Sequence, residues 1–298
     1  MGKASTIRPI GPTLAWAAGA FRWLYVVVLA VLLLGGCAGR PSAAESAAPE
    51  LVAQAAAKTI RIILVGDSTV TDESGWGGAF KRLLDERVEC VNYAQGGRSS
   101  KSFIEEGHWA KALAGGGDYV LIQFGHNDMP GKGPARETDP NTTYRRYMSR
   151  YVDESRAAGA VPVLITSMTR RNFRDGKIAT LLGDYAQAVR DLAREKDVPL
   201  VDLHAASIEL LNRLGPPESE TLGPMKNGRR DRTHLSDKGK TVMAALVADL
   251  LRQAVPTLAD HLNTTASPSP SDDQKPHGTR SVPAYRLVLC QGRQEHHE

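Results

Sequence analysis

Ile60-Arg61-Ile62-Ile63-Leu64-Val65-Gly66-Asp67-Ser68-Thr69 decides how the rest of the chain is read. A short aliphatic, β-branched run halted by Gly-Asp-Ser reads as a buried strand that ends in a tight turn. In an open parallel α/β sheet, ligands bind at the carboxyl ends of the strands. That places Ser68 at the working edge and makes it a candidate nucleophile. A serine after a strand is ordinarily a turn residue or a helix cap, so the role depends on whether the chain supplies partners.

Outward from this stretch, strand-like runs recur at Val88–Tyr93, Tyr119–Phe124, Val161–Thr166 and Leu200–Leu203. Helical spacing of apolar residues lies between or after them, over Gly77–Arg87, Tyr144–Ala158, Leu181–Glu195 and Lys238–Ala254. Gly117-Asp118 and Gly159-Ala160 mark joints from helix to strand. This alternation predicts an α/β fold, with a parallel sheet covered on both faces. One domain over residues 59–262 accommodates it, large enough to need no staples.

The two ends read differently. Residues 1–22 carry only positive charge, and Trp23–Leu34 is an apolar run of 12 residues. That is short for a membrane span and suits a signal peptide. It runs into Leu34-Gly35-Gly36-Cys37, which resembles the lipobox of bacterial lipoproteins. The resemblance implies a signal peptide over 1–36, lipidation of Cys37, and an extracytoplasmic chain anchored to a membrane, the outer membrane or cell surface where there are two. An ordinary secretory signal, giving a secreted or periplasmic protein, is the alternative. Residues 37–58 read as a tether rich in Ala, Pro and Ser, and 263–298 as a polar, disordered tail. The formal charge is +4. Losing Lys3, Arg8 and Arg22 with the leader brings it to about +1, so the basic pI does not argue for nucleic acid. Cys37, Cys90 and Cys290 have no metal-site spacing, and Cys90 reads as a core thiol. Asn141-Thr142-Thr143 and Asn263-Thr264-Thr265 are read as chance matches to the glycosylation pattern.

Acyl transfer by serine needs a base, a group that orients the base, and donors for the oxyanion. Three further stretches answer that list. Gln95-Gly96-Gly97-Arg98-Ser99-Ser100 follows the second strand, and its glycines let a backbone N–H approach a ligand. It is not a phosphate loop, because Ser100 stands where the glycine before lysine is needed. Gly125-His126-Asn127-Asp128 follows the third strand and offers an amide side chain, or simply a turn. Asp231-Arg232-Thr233-His234 precedes the last helix, and its spacing lets carboxylate and imidazole face one another across a turn.

Together these motifs resemble the SGNH (GDSL) hydrolase superfamily over residues 60–255. Gly75-Trp76-Gly77 and Arg170-Arg171-Asn172-Phe173 further resemble its rhamnogalacturonan acetylesterase branch. The resemblance implies a three-layer α/β/α, flavodoxin-like fold with about five parallel strands. It implies Ser68 as nucleophile, His234 as base and acid, Asp231 as orienting carboxylate, and Ser68, Gly97 and Asn127 as oxyanion donors. No metal or organic cofactor is required. The partner is an acetylated polysaccharide, with Arg98, Arg170 and Arg171 as candidates for contacting an acidic sugar. Asp67 reads as holding the turn rather than joining the triad. His108, His126 and His204 read as structural or surface residues.

Leu235 departs from the branch pattern, where an aromatic is common, and so does the Gly-, Pro- and charge-rich loop 130–140. Both bear on substrate more than on reaction. The rival readings are a lipase, lysophospholipase or thioesterase on longer acyl chains, and a non-catalytic glycan-binding lipoprotein. A nucleotide- or flavin-binding protein lacks its phosphate fingerprint.

Overall fold

A computed structural model of the chain describes residues 59–263. The leader, Cys37, the tether, Cys290 and the tail beyond Asn263 lie outside the described residues. Among those described, no helix is long and apolar enough to cross a membrane.

Five parallel strands form the central sheet: β1 (Ile60–Gly66), β2 (Val88–Asn92), β3 (Tyr119–Gln123), β4 (Val161–Ile165) and, after two short strands, β7 (Leu200–Val201). Their order is β2-β1-β3-β4-β7. Register runs from Leu64 opposite Asn92 on one side of β1 to Gly66 opposite Gln123 on the other. The strand order reverses at β1, between β2 and β3, so this is the switch point where a crevice opens at the carboxyl ends. The predicted α/β class and all five predicted strands are present, with ends shifted by a residue or two.

Period-two alternation divides the core. Ile62, Leu64, Leu121, Val163 and Ile165 face one layer, with Trp76, Phe80, Val247 and Leu251. Ile63, Val65, Val120, Ile122 and Leu164 face the other, with Phe103, Trp109, Tyr151 and Val189. The first layer holds α1 (Gly77–Lys81), α6 (Leu203–Thr221) and α7 (Asp237–Ala254). The second holds α2 (Ser100–Glu105), α3 (His108–Ala114), α4 (Thr143–Ala157) and α5 (Gly183–Glu195). Two hairpins stand apart from the main sheet: β5 (Phe173–Arg174) with β6 (Lys177–Ile178), and β8 (Met225–Lys226) with β9 (Arg229–Arg230).

Two helical expectations change. The helix expected over Gly77–Arg87 stops at Lys81, because the chain then turns to meet the carboxyl-terminal segment. Leu84 bridges Leu262, and the Asp85 N–H donates to the His261 carbonyl at 3.0 Å. Helices α2, α3 and α6 were not anticipated, and the longest of them is α6. Its pattern is interrupted by Gly215-Pro216-Pro217, and Gly215 (φ 73°, ψ 171°) breaks it into two pieces. Proline is tolerated where a helix restarts, since the first-turn N–H groups have no intrahelical acceptor. Cys90 is half-buried on β2, and burial pushes its thiol up to about 12.

The segment after β1 folds back so tightly that side chains would obstruct it. A Cβ on Gly75 would lie 2.2 Å from the Thr69 carbonyl carbon and oxygen. Gly75→Ala should therefore cost about 3 kcal/mol, as overpacking against unyielding backbone does. The expected outcome is a melting temperature lower by roughly 5–10 °C, measured by circular dichroism. An unchanged melting temperature would show that this turn yields.

Candidate active site

Ser68 sits just past β1, half-exposed, between Asp67 and Thr69, which are fully buried. Asp67 Oδ1 accepts the Thr69 N–H at 2.8 Å and the Thr69 hydroxyl at 2.7 Å. The Thr69 hydroxyl in turn accepts Gln123 Nε2 at 2.7 Å, and Gln123 Oε1 accepts the Trp76 indole N–H at 3.0 Å. On the other side, the Ser68 carbonyl accepts the hydroxyls of Ser74 (2.8 Å) and Thr71 (3.0 Å). The serine is thus presented by a turn whose neighbours are fixed on both flanks.

His234 Nε2 lies 3.0 Å from Ser68 Oγ, across 166 positions of sequence. His234 Nδ1 lies 2.8 Å from Asp231 Oδ2. Asp231 Oδ1 accepts the N–H groups of Thr233 (2.7 Å) and His234 (2.9 Å). Carboxylate and imidazole therefore face each other through a turn closed by the carboxylate, ahead of α7 and its Ser236 cap, not on the helix itself. Burial alone would raise the Asp231 carboxyl. The His234 side chain and the two N–H donors outweigh it and hold the group at about 2. Asp231 is consequently a carboxylate throughout the physiological range. Asp67 has its Oδ1 committed to Thr69, and the His234 Nδ1 position is taken by Asp231. Asp67 is a turn residue in this arrangement.

Of the proposed oxyanion donors, Gly97 has φ +78°, a conformation glycine adopts without strain. A Cβ on the preceding Gly96 would come 3.7 Å from the Ser68 Cβ, so this loop runs beside the serine. Asn127 is buried, and one N–H of its amide donates to the Arg98 carbonyl at 3.1 Å. The amide's second N–H is chemically equivalent and can serve a ligand. Asp128 ties the two loops together. It accepts the Ser100 N–H (3.1 Å), the Ser100 hydroxyl (2.5 Å) and the Thr138 hydroxyl (2.9 Å).

The three arginines have separate fates. Arg171 is a correction. It is 2% exposed, and its guanidinium donates to the carbonyls of Asp231 (2.7 Å) and His234 (2.5 Å). Burial lowers its pKa to about 10, with Asp231 pulling the other way. It clamps the loop of the Asp–His pair from below and is not available to a substrate. Arg98 reaches Glu106 at 2.8 Å and the Gly96 carbonyl at 2.9 Å. Arg170 is half-buried and donates to the His126 carbonyl at 3.3 Å. His126 and His204 are buried, and His204 Nδ1 faces the Ser167 carbonyl at 2.9 Å. Leu235 is core, so the departure noted there does not alter the cleft wall. Among the described residues, no three His, Cys, Asp or Glu side chains are grouped so as to hold a metal ion. Sequence reasoning missed the Gln123–Trp76 relay and the Arg171 clamp. The motif around Trp76 was the only signal pointing to the former.

The residues of this site fall within a match to the model of the GDSL-like Lipase/Acylhydrolase family over residues 64–242. The chain belongs to that family. Within the family, it is 40% identical over 225 residues to rhamnogalacturonan acetylesterase RhgT of Bacillus subtilis, covering 69% of this chain and 95% of that one. It is 31% identical to a rhamnogalacturonan acetylesterase of Emericella nidulans, covering 65% of this chain and 84% of the other. The crystal structure of the Bacillus subtilis protein YxiM superimposes with a TM-score of 0.58 at 25% identity, over 65% of this chain. This chain spans only 56% of that protein's length.

Asp128 generates a test of the loop junction in this GDSL-family site. Burial raises its carboxyl from 3.8 to about 7, while the bonds from Ser100 and Thr138 pull downward. A carboxyl raised on folding contributes its full stability below the unfolded pKa and loses it as pH rises through the folded one. The window is therefore about pH 4 to 7. Asp128→Asn carries no charge in that window. The melting temperature of the wild type minus that of the variant should fall steadily across it, and a difference that stays flat would show that Asp128 takes up no proton.

Proposed function

We propose that this chain is a serine esterase that removes O-acetyl groups from a rhamnogalacturonan-like or other pectic polysaccharide. The observation that carries the reading is the 3.0 Å approach of His234 Nε2 to Ser68 Oγ, with Asp231 on the far ring nitrogen. The likeness to two rhamnogalacturonan acetylesterases supplies the substrate class.

In this reading the Ser68 hydroxyl passes its proton to His234 Nε2 as its oxygen attacks the acetyl carbonyl. Asp231 holds the Nδ1 proton and stabilises the imidazolium. The carbonyl electrons move to oxygen, which the N–H groups of Ser68 and Gly97 and the Asn127 amide receive. The C–O bond to the sugar breaks, and His234 returns the proton to the leaving hydroxyl. Water then attacks the carbonyl carbon of acetyl-Ser68 and gives its proton to His234; the bond from that carbon to Ser68 Oγ breaks, His234 passes the proton to Oγ, and acetate leaves.

We also place the protein outside the cytoplasm, on a lipid attached at Cys37. The apolar run ending in Leu34-Gly35-Gly36-Cys37 supports this. Labelled palmitate should enter the wild type and not Cys37→Ala; equal incorporation would remove the anchor.

Acetate release from acetylated rhamnogalacturonan should be abolished in Ser68→Ala. Asn127→Ala should lower kcat by about 100- to 1,000-fold with little change in KM, the usual loss for an oxyanion donor. On p-nitrophenyl esters, rate should fall sharply beyond acetate. A rate that rises with acyl length would favour a lipase or thioesterase. Glycan binding without fluorophosphonate labelling of Ser68 would mark a non-catalytic lectin-like protein.

A further inference from the structure

The hairpin β8–β9 immediately precedes Asp231 and stands apart from the main sheet. Its loop is Asn227-Gly228, with φ of +51° and +73°. That is the geometry of a two-residue primed turn, which fixes the register of the strands it joins. Lys226 therefore stands directly opposite Arg229, and Met225 opposite Arg230. Like charges in directly opposed positions destabilise a strand pair. Between Met225 and Arg232 the chain carries Lys226, Arg229, Arg230 and Arg232 against a single acid, Asp231, whose carboxylate is bonded to His234. Among the described residues none of these four cations has an ion pair. Arg230 Nη1 donates to the Gly223 carbonyl at 3.2 Å, which anchors the hairpin base.

These side chains are solvent-exposed and border a shallow, open depression. Lys226, Asn227, Arg229, Arg230 and Asp231 line a cleft of about 490 Å³. The cleft shares Asp231 with the constellation that reaches Ser68 Oγ through 2.8 and 3.0 Å contacts. An exposed cationic hairpin whose lysine and arginines have no ion pair among the described residues, joined through Asp231 to the His234–Ser68 contact, is matched by an anionic ligand. The side chains that line it are polar or charged, with their alkyl stems supplying an apolar part of the surface, as sugar rings with charged substituents require.

We propose that this hairpin cleft is a subsite for uronate carboxylates of the glycan, with Lys226 and Arg229 as its specificity-determining residues. This rests on the polysaccharide reading above for the origin of the ligand. Arginine forks bind carboxylates through paired N–H donors, and an adjacent lysine adds a point charge. Acidic sugar recognition thus lies on the hairpin, while Arg171 serves the fold.

The test uses the full chain and de-esterified polygalacturonate, with neutral arabinoxylan as control. In affinity electrophoresis the wild type should be retarded by polygalacturonate, not by arabinoxylan, and added salt should relieve the retardation. Arg229→Gln and Lys226→Gln/Arg229→Gln should bind roughly tenfold or more weakly, the usual scale for hydrogen bonds to charged groups. Circular dichroism checks that both variants fold. Unchanged retardation in the variants, or none in the wild type, overturns the proposal. So does binding to anionic phosphatidylglycerol vesicles that Arg229→Gln abolishes while polygalacturonate is ignored. If the wild type binds polygalacturonate but releases no acetate from any acetylated polysaccharide, the esterase reading fails and the subsite stands.

Discussion

The buried chain of hydrogen bonds from Trp76 through Gln123 and Thr69 to Asp67 is the constraint on which the site depends. All four residues have no exposed surface. Each bond alone contributes about 1 kcal/mol, but a buried polar group that loses its partner costs more than the bond supplied. The chain therefore behaves as a unit: it joins the carboxyl end of β3 to the turn after β1 and to the start of α1. Ser68 stands one residue from its end. The glycines at 66, 75 and 77 are the steric counterpart, since a Cβ at each would come within 2.5 Å of Val70 or Thr69 atoms. The position of Ser68 is thus set by core packing on one flank and by the hydroxyls of Ser74 and Thr71 on its carbonyl.

His234 is delivered by an independent element. Its loop is held by Arg171 from beneath and by the Leu235 N–H donating to the Ser74 carbonyl at 3.0 Å. Ser74 also holds the Ser68 carbonyl through its hydroxyl. One residue therefore bridges the serine turn and the histidine loop, which keeps the 3.0 Å approach from depending on two separately floating loops. Asp128 does the same beside Asn127, joining the loops after β2 and β3. Rigid support of this kind is what lets donors act without reorganising during reaction.

The sheet and its strand ends were legible from local pattern, whereas Ser68, Asn127, Asp231 and His234 were singled out only because their motifs together resemble a known superfamily. Strands that are buried on both faces read as apolar runs, and catalytic types at their carboxyl ends are few. What was illegible depends on partners distant in sequence. Gln123 looks like an ordinary strand end until Trp76, 47 positions earlier, is found beside it. Helix α6 was hidden because Gly215-Pro216-Pro217 resembles a loop, although the break occupies one residue. The β8–β9 hairpin was passed over because two-residue strands carry no periodicity, even though Asn227-Gly228 is a strong turn signal.

The tandem Arg170-Arg171 shows why residue type cannot allot roles at such a site. Both are arginines after β4, both face the triad region, and both were candidates for an acidic sugar. Arg171 is buried against two backbone carbonyls, where its planar fork satisfies acceptors that the irregular loop would otherwise leave unpaired. Its charge is retained beside Asp231, and a buried cation there favours the ionised carboxylate. Arg170 keeps part of its surface and donates only to the His126 carbonyl. On the hairpin, Arg230 gives one N–H to the Gly223 carbonyl, while the exposed Arg229 remains open to a ligand. Identical side chains thus divide into a loop clamp, a half-buried neighbour and a binding wall, according to whether the surrounding backbone already offers them an acceptor.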